Sequence, residues 1–298
     1  MTGRTTTLPT LGLLAMTAVW GSTFFMIKDV VARMPVADFL AVRFAIAALA
    51  MLALFPRHVG RLGRPGIARG LALGAIYGIG QLLQTRGLQL IAPSVSGFAT
   101  GMYVVFTPIL ATLLLRQRMP GVVWIAVGLA TAGLALLSLN GVSVDAGVWL
   151  TLASALLYAL HIVLLGQWSR PGEAFGLSAV QMVAIALVCL LATLPRGGPV
   201  APPDLAAWLA VLYMALIAGA GAMAMQTWAQ GHLPATRAAI VMTTEPVFAA
   251  AFAVAFGHDV FGWRMLAGGA LVLGAMYLVE LAPRRSAAIA AEAGHHEV

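Results

Sequence analysis

The sequence predicts an all-α membrane protein of ten transmembrane helices, arranged as two related halves of five helices each. Three observations support this fold class. Of the 298 residues, 61% are hydrophobic and only 9% are charged, with a mean hydropathy of +0.95, whereas soluble domains carry about a quarter charged residues. The apolar residues form runs of about 20 residues, the length that crosses a hydrocarbon core about 30 Å thick. The second half of the chain also repeats features of the first in the same order.

Runs of apolar residues, bounded by Pro, Gly and charged residues, define the predicted spans in order. In the first half they are 8–27, 37–55, 67–88, 94–115 and 121–139. In the second half they are 147–165, 176–194, 205–229, 235–256 and 262–281. The first run lacks a small-residue cleavage site and continues into Lys28 and Asp29, so we expect it to remain as helix 1. The predicted domains are therefore residues 8–139 and 147–281, followed by a polar cytoplasmic tail, 282–298.

The distribution of Lys and Arg predicts that both termini lie in the cytoplasm, since basic residues are retained on that side. Ten of the 17 basic residues then fall in cytoplasmic flanks, four in outer flanks, and three within or at the edge of a span. This pattern accounts for the net charge of +7 without a nucleic-acid partner. The single cysteine, Cys189, lies in an apolar run and excludes a disulfide within one chain.

The two halves can be aligned directly, which indicates an internal repeat. The matches are Gly121/Gly262, Gly128/Gly269 and Gly133/Gly274 in helices 5 and 10, Ala41-Val42-Arg43 with Ala179-Val180-Gln181, Gln84-Thr85 with Gln226-Thr227, and Pro108 with Pro246. Because each half has an odd number of helices, the halves would run through the membrane in opposite directions. We therefore expect an inverted repeat, with chance similarity between apolar segments as the alternative.

Helix 3 carries the first candidate functional residues. At about 100° per residue, Tyr77, Gln81 and Gln84 share one face with Gly70 and Gly74. The glycines permit close helix packing. Hydrogen-bonding groups inside a bilayer are costly unless satisfied, so the three polar side chains either hold helices together or line a wet cavity.

Further candidates lie inside other spans, where they could contact a planar substrate. They are Trp20, Tyr103, Tyr158, His161, Met223, Gln226 and Trp228. The alternative for the aromatic residues is an interfacial belt at the membrane surface. The sequence predicts the cavity for Trp20 and His161, which lie well inside their spans.

Charged residues and prolines inside the spans suggest parts of a mechanism. Glu245 is the one acid well inside a span, and either couples transport to protons or is a hydrogen-bonded structural acid. Pro108 and Pro246 are expected to kink helices 4 and 9. Arg43 and Arg237 are expected to be paired or to reach the ends of their helices, with binding of a substrate carboxylate as the alternative.

Three stretches of the sequence match a known family: Trp20-Gly21-Ser22 with Lys28, Pro35 followed by Phe39-Leu40-Ala41-Val42-Arg43-Phe44, and Glu245-Pro246-Val247-Phe248. Over residues 8–281 the chain resembles the EamA-type drug/metabolite transporters, and within them the YddG-type exporters of aromatic amino acids. One departure is Arg116-Gln117-Arg118, where many relatives carry a Gly-Glu pair after helix 4. Any role of that acid in relatives does not carry over.

The resemblance implies a secondary transporter of the bacterial inner membrane. Helices 1, 3, 4, 6, 8 and 9 would surround a central cavity, with helices 2, 5, 7 and 10 outside, and a small-molecule substrate would bind near the midplane. The expected substrates are aromatic amino acids, with other metabolites or cationic drugs as alternatives. A monomer is compatible with this arrangement, and the sequence leaves the oligomeric state open.

The sequence lacks the residue patterns that an enzyme of this kind would need. It has no paired carboxylates at helical spacing, no His-x-x-x-His and no Walker motif. We therefore expect no catalysis, no cofactor and no metal, with transport passive or coupled to an ion gradient. A membrane-embedded enzyme acting on lipid-linked substrates and a sensor are the other classes that the composition permits.

Overall fold

The computed structural model describes residues 4–115, 121–140, 143–170, 172–233, 241–242 and 244–281, and nearly all of them are helical. The first half contains α1 (Arg4–Val31), α2 (Val36–Leu54), α3 (Pro56–Gly60), α4 (Gly63–Leu90), α5 (Pro93–Gly101), α6 (Tyr103–Leu115) and α7 (Val122–Ser138). The second half contains α8 (Ala146–Trp168), α9 (Ala174–Leu191), a 3₁₀ turn (Leu194–Arg196), α10 (Leu205–Ala215), a π-helical segment (Leu216–Gly221), α11 (Ala222–Gln230), α12 (Glu245–Ala255) and α13 (Trp263–Leu281). Between the halves, β1 (Leu139–Asn140) and β2 (Ser143–Val144) form a two-residue antiparallel ladder. The predicted all-helical class is confirmed apart from this ladder.

Seven helical stretches of the described chain are long and apolar enough to cross a membrane. They are Thr7–Val31, Val36–Leu54, Gly63–Leu90, Pro93–Leu114, Ala146–Trp168, Ala174–Arg196 and Leu205–Gln230. Three shorter apolar helices, Trp124–Leu137, Glu245–Ala255 and Trp263–Leu278, fall within the other three predicted spans. Several membrane-spanning helices are thus confirmed, whereas the count of ten and the inverted repeat stay predictions. The predicted tail 282–298, Arg237 and Arg116-Gln117-Arg118 lie outside the described residues.

Glycines set the distance between α4 and its two main neighbours, α8 and α9. A Cβ atom on Gly87 would lie 2.6 Å from the carbonyl oxygen of Gly147, and one on Gly147 would lie 2.7 Å from the carbonyl oxygen of Gly87. Gly74 faces the backbone of Gln181 in the same way. Backbone oxygens cannot move aside without their helices, so small residues are required at these crossings, as the sequence predicts for Gly74.

The regular helix is interrupted in three of the predicted spans. Met102 separates α5 from α6, the π-helical segment separates α10 from α11, and Thr244 lies in a turn between helical residues 241–242 and α12. The two prolines take different positions relative to these breaks. Pro108 lies inside α6, whereas Pro246 lies in the first turn of α12, where a proline removes no helical hydrogen bond.

Asp204 caps the start of α10, just outside that span. Its Oδ1 accepts a hydrogen bond of 2.8 Å from the backbone amide of Ala207, and its Oδ2 pairs with Arg33 at the end of α1. The Ala207 amide, and after it the Arg33 guanidinium, lowers the pKa of the Asp204 carboxyl below its usual value. The ionised side chain therefore holds the ends of α1 and α10 together.

Candidate functional site

A cavity lies between two apolar clusters of the helical bundle and draws lining residues from both. Tyr103, Tyr158 and Met242 belong to one cluster. Phe24, Ile27 and Leu88 belong to the other. The cavity holds about 590 Å³ that protein atoms do not fill, counting the part open to solvent. Its lining consists of Trp20, Thr23, Phe24, Ile27, Arg43, Tyr77, Gln81, Gln84, Leu88, Thr100, Tyr103, Tyr158, His161, Ile162, Gln226, Met242 and Glu245.

A hydrogen-bond network joins α4, α5 and α8 along one wall of the cavity. Gln81 Nε2 donates to the Tyr158 hydroxyl at 2.8 Å, and that hydroxyl donates to Gln84 Oε1 at 2.9 Å. Gln84 Nε2 in turn donates to Thr100 Oγ1 at 2.9 Å. The two roles that the sequence left open for the glutamines therefore coincide, because both side chains link helices and line the cavity.

Aromatic rings form a second feature of the lining. The Tyr77 ring centroid lies 5.0 Å from that of Tyr158 and 5.1 Å from that of His161. His161 Nε2 lies 2.7 Å from Gln181 Oε1, and Gln181 Nε2 donates to the Leu177 carbonyl. Because the Gln181 oxygen must then accept, Nε2 of His161 carries a proton. The imidazole is held by that bond with its ring against Tyr77.

Glu245 is buried at the start of α12, with 6% of its surface exposed. The Tyr103 hydroxyl lies 3.0 Å from Glu245 Oε2 and 3.1 Å from the Met242 carbonyl oxygen. A hydroxyl has one proton, so it can donate to only one of these two acceptors at a time. When Glu245 is protonated it can donate to Tyr103, which then donates to Met242. When Glu245 is ionised, Tyr103 must donate to the carboxylate instead.

Arg43 lies in the interior of α2 with 4% of its surface exposed, so the expectation that it reaches a helix end is wrong. Its Nε donates to the carbonyl oxygen of Met214 at 3.1 Å. Its guanidinium carbon lies 4.9 Å from the ring centroid of Phe44 and 5.9 Å from that of Phe39. Its Nη1 has no hydrogen-bond partner among the described residues. The expectation that helix 2 stays outside the cavity lining also fails at this residue.

The π-helical segment and the end of α10 just before it accept hydrogen bonds from cavity residues on two other helices. Trp20 Nε1 donates to the Ala218 carbonyl at 2.8 Å. The Arg43 bond to Met214 reaches the turn just before the segment. The wider π turn is common at functional sites. The Ala218 carbonyl within the segment fixes the Trp20 side chain, and the Met214 carbonyl just before it fixes the Arg43 side chain.

Nine of the predicted site residues lie together in the lining: Trp20, Tyr77, Gln81, Gln84, Tyr103, Tyr158, His161, Gln226 and Glu245. Four others lie outside it. Met223 is buried among apolar residues, Trp228 packs its ring 4.9 Å from that of His232, Pro108 is half-buried, and Pro246 is buried. Sequence reasoning missed Thr23, Phe24, Ile27, Leu88, Thr100, Ile162 and Met242.

Helical spacing could have found some of the missed residues. Thr23, Phe24 and Ile27 follow Trp20 by three, four and seven positions and so share its face, and Leu88 follows Gln84 by four. Thr100 precedes Tyr103 by three positions in one predicted span, but in the structure the helix is interrupted between them at Met102. No group of three or more His, Cys, Asp or Glu able to hold a metal ion occurs in the described part of the chain.

The fold and the site together define a polytopic membrane protein with a polar and aromatic cavity among its helices. Residues 8–139 and 145–281 match the EamA-like transporter family, and the chain belongs to that family. It is therefore a membrane transporter of small molecules.

The chain is also similar to a curated protein and to a solved structure. A curated protein of Archaeoglobus fulgidus, described as an uncharacterized transporter, is 29% identical over 279 residues, which are 91% of this chain and 85% of that protein. A solved crystal structure matches with a TM-score of 0.67 at 19% identity, covering 93% of this chain and 98% of that one. This second likeness concerns the fold alone.

Proposed function

We propose that the chain is a secondary transporter that exports small amphipathic metabolites, with aromatic amino acids as its substrates. The observation that carries this proposal is the mixed lining of the cavity. The Tyr77 ring centroid lies 5.0 Å from that of Tyr158 and 5.1 Å from that of His161, and the side chains of Gln81 and Gln84 line the same cavity. Pockets that orient a ligand combine apolar and aromatic walls with a few placed polar groups.

Alternating access in an inverted repeat would move the substrate, with both termini in the cytoplasm of a bacterial cell. The pattern of helix contacts supports the repeat. If the two halves are exchanged, the α1–α11 contact becomes α4–α8, and the α2–α10 contact becomes α4–α9. The α2–α9 and α7–α13 contacts map onto themselves. The helix breaks at Met102, at the π-helical segment and at Thr244 are where such a movement would bend the spans.

Glu245 would couple this movement to protons. Its protonation state decides whether Tyr103 donates to the carboxylate or to the Met242 carbonyl beside the break in the ninth predicted span. Binding or release of one proton would thereby make or break the contact between Tyr103 on α6 and Met242, which precedes α12. A buried acid in a membrane protein is a functional candidate for this reason.

The test is uptake of labelled tryptophan, phenylalanine and leucine into liposomes that contain the purified protein. We expect saturable flux that prefers the aromatic amino acids and is lost in Trp20→Ala and His161→Ala. Trp263→Ala is the matched control, since that side chain is 70% exposed and lies outside the lining. Absence of flux for all three amino acids would refute the substrate class, and flux of a cationic drug instead would favour the alternative named from the sequence.

A further inference from the structure

We infer that Arg43 binds the carboxylate of the substrate, so that the cavity selects a zwitterion that carries a carboxylate and an amine. This inference deepens the proposed function and rests on it in assigning the cavity to substrate. It adds the contact between Arg43 and a carboxylate, and the requirement for a charged ligand, neither of which follows from the aromatic lining alone.

The first step of the argument is that Arg43 is a buried charge without a counter-ion. Among the residues that the structure describes, it makes no ion pair with a carboxylate. Glu245 lines the same cavity but is hydrogen-bonded to Tyr103. An arginine stays charged at any physiological pH, and an uncompensated buried charge is strongly unfavourable. A ligand anion in the cavity would supply the missing charge.

The second step is geometric. The bond from Nε to Met214 and the rings of Phe39 and Phe44 hold the guanidinium in place. Arg43 lines the cavity, and its buried Nη1 has no partner among the described residues. The guanidinium is planar, and its parallel N–H groups match the two oxygens of a carboxylate. The protein therefore fixes the orientation of the guanidinium, and a ligand carboxylate would accept hydrogen bonds from the N–H groups that remain without a partner.

The third step is a comparison within the chain. In the alignment of the two halves, Arg43 corresponds to Gln181. Both hydrogen-bonding groups of Gln181 are used inside the protein, one by His161 and one by the Leu177 carbonyl, and Gln181 does not line the cavity. The second half therefore uses this position for internal hydrogen bonds through Gln181, whereas the first half places there the unpaired charge of Arg43.

The fourth step concerns the opposite charge. Two lining residues, Gln81 and Gln226, have a buried Oε1 that accepts no hydrogen bond from the described residues. Such oxygens, together with the Glu245 carboxylate, are the acceptors that a primary ammonium group requires. Among the described lining residues, the groups without a partner are thus one cationic donor and two amide oxygens, beside the Glu245 carboxylate, and this set is the complement of an α-amino acid.

Binding of three ligands to the purified protein in nanodiscs tests the inference: tryptophan, tryptamine, which lacks the carboxylate, and indole-3-propionate, which lacks the amine. We expect the wild type to prefer tryptophan to tryptamine. In Arg43→Gln the affinity for tryptophan should fall at least about tenfold, as expected for loss of a charge-assisted contact, while tryptamine binding is unchanged. Arg43→Lys should retain part of the preference, since it keeps the charge without the planar fork.

The control variant is Arg61→Gln, which removes the same charge from an exposed position outside the lining. It should leave the ratio of tryptophan to tryptamine affinity at the wild-type value. If Arg43→Gln does not fold, the ratio in the wild type and in Arg43→Lys still decides the matter.

The outcomes separate the inference from the proposed function. Tryptophan binding that is equally strong in Arg43→Gln would overturn the carboxylate contact and leave the aromatic substrate class intact. Binding of indole-3-propionate that depends on Arg43, without binding of tryptophan, would support the carboxylate contact but overturn the requirement for an amine and the amino-acid class. Binding of tryptamine alone would overturn both.

Discussion

Replacing Gly87 with Ala tests whether the α4–α8 crossing supports the cavity. The new methyl group would lie 2.6 Å from the Gly147 carbonyl oxygen and would also meet Thr151 Oγ1, so α4 and α8 must separate. Forcing a methyl group into such a contact costs about 1–3 kcal/mol. The higher helix propensity of Ala offsets up to about 1 kcal/mol of that cost. With an offset of about 0.5–1 kcal/mol, we therefore expect the free energy of unfolding to fall by up to about 2.5 kcal/mol.

Gly128→Ala is the matched control, because a Cβ atom there meets nothing within 4 Å. Propensity alone should then raise the free energy of unfolding, by at most about 1 kcal/mol. The assay is unfolding of the purified proteins by SDS in mixed micelles, followed by circular dichroism, with tryptophan binding measured in parallel. Equal midpoints for the two variants would refute the packing argument. A destabilised Gly87→Ala with unchanged binding would show that the crossing does not support the cavity.

Three further predictions concern polar side chains. Tyr158→Phe should lower the free energy of unfolding by about 1–3 kcal/mol, because the buried side-chain amides of Gln81 and Gln84 lose their partner. Tyr277→Phe is the control, since Tyr277 is 39% exposed. Equal losses of stability in the two variants would contradict the hydrogen-bond network. Glu245→Gln should still carry tryptophan in liposomes but lose the response to an imposed pH gradient, and a retained response would rule out coupling through this acid. Asp204→Ala should lower the SDS midpoint at pH 7. Because the folded pKa of Asp204 is lowered, this difference should shrink as the pH falls through that value, whereas Asp204→Asn should preserve the cap. A difference between Asp204→Ala and the wild type that persists in acid would contradict the capping role.

The long helices and one face of the cavity were accessible from sequence, because both depend on local periodicity. The predicted span 67–88 lies within the observed Gly63–Leu90. The face that carries Tyr77, Gln81 and Gln84 follows from the helical repeat, and all three residues line the cavity. An amide or hydroxyl group inside a bilayer needs a hydrogen-bond partner or water, so its place in the sequence indicates a helix face that points to the protein interior.

Contacts that depend on a distant segment could not be predicted in this way. The sequence gives no sign of a π-helical segment that contains Ala218 and follows Met214, so the hydrogen-bond partners of Trp20 and Arg43 could not be predicted. The aligned glycines of helices 5 and 10 show a second limit. Gly133 packs against the backbone of α13, whereas a Cβ atom on its counterpart, Gly274, meets nothing within 4 Å. Identical residues in register therefore do not imply equivalent packing.

The π-helical segment Leu216–Gly221 also fixes the angular phase of everything that follows it in the span. A π turn contains one more residue than the α-helical turn that it replaces, and one residue corresponds to about 100° of rotation. Gln226, five residues beyond the segment, therefore faces the cavity only because that residue is present. Deletion of a single residue from the segment would restore a regular helix and rotate Gln226 away from the cavity. Length changes in this stretch are thus constrained to those that preserve the phase of α11.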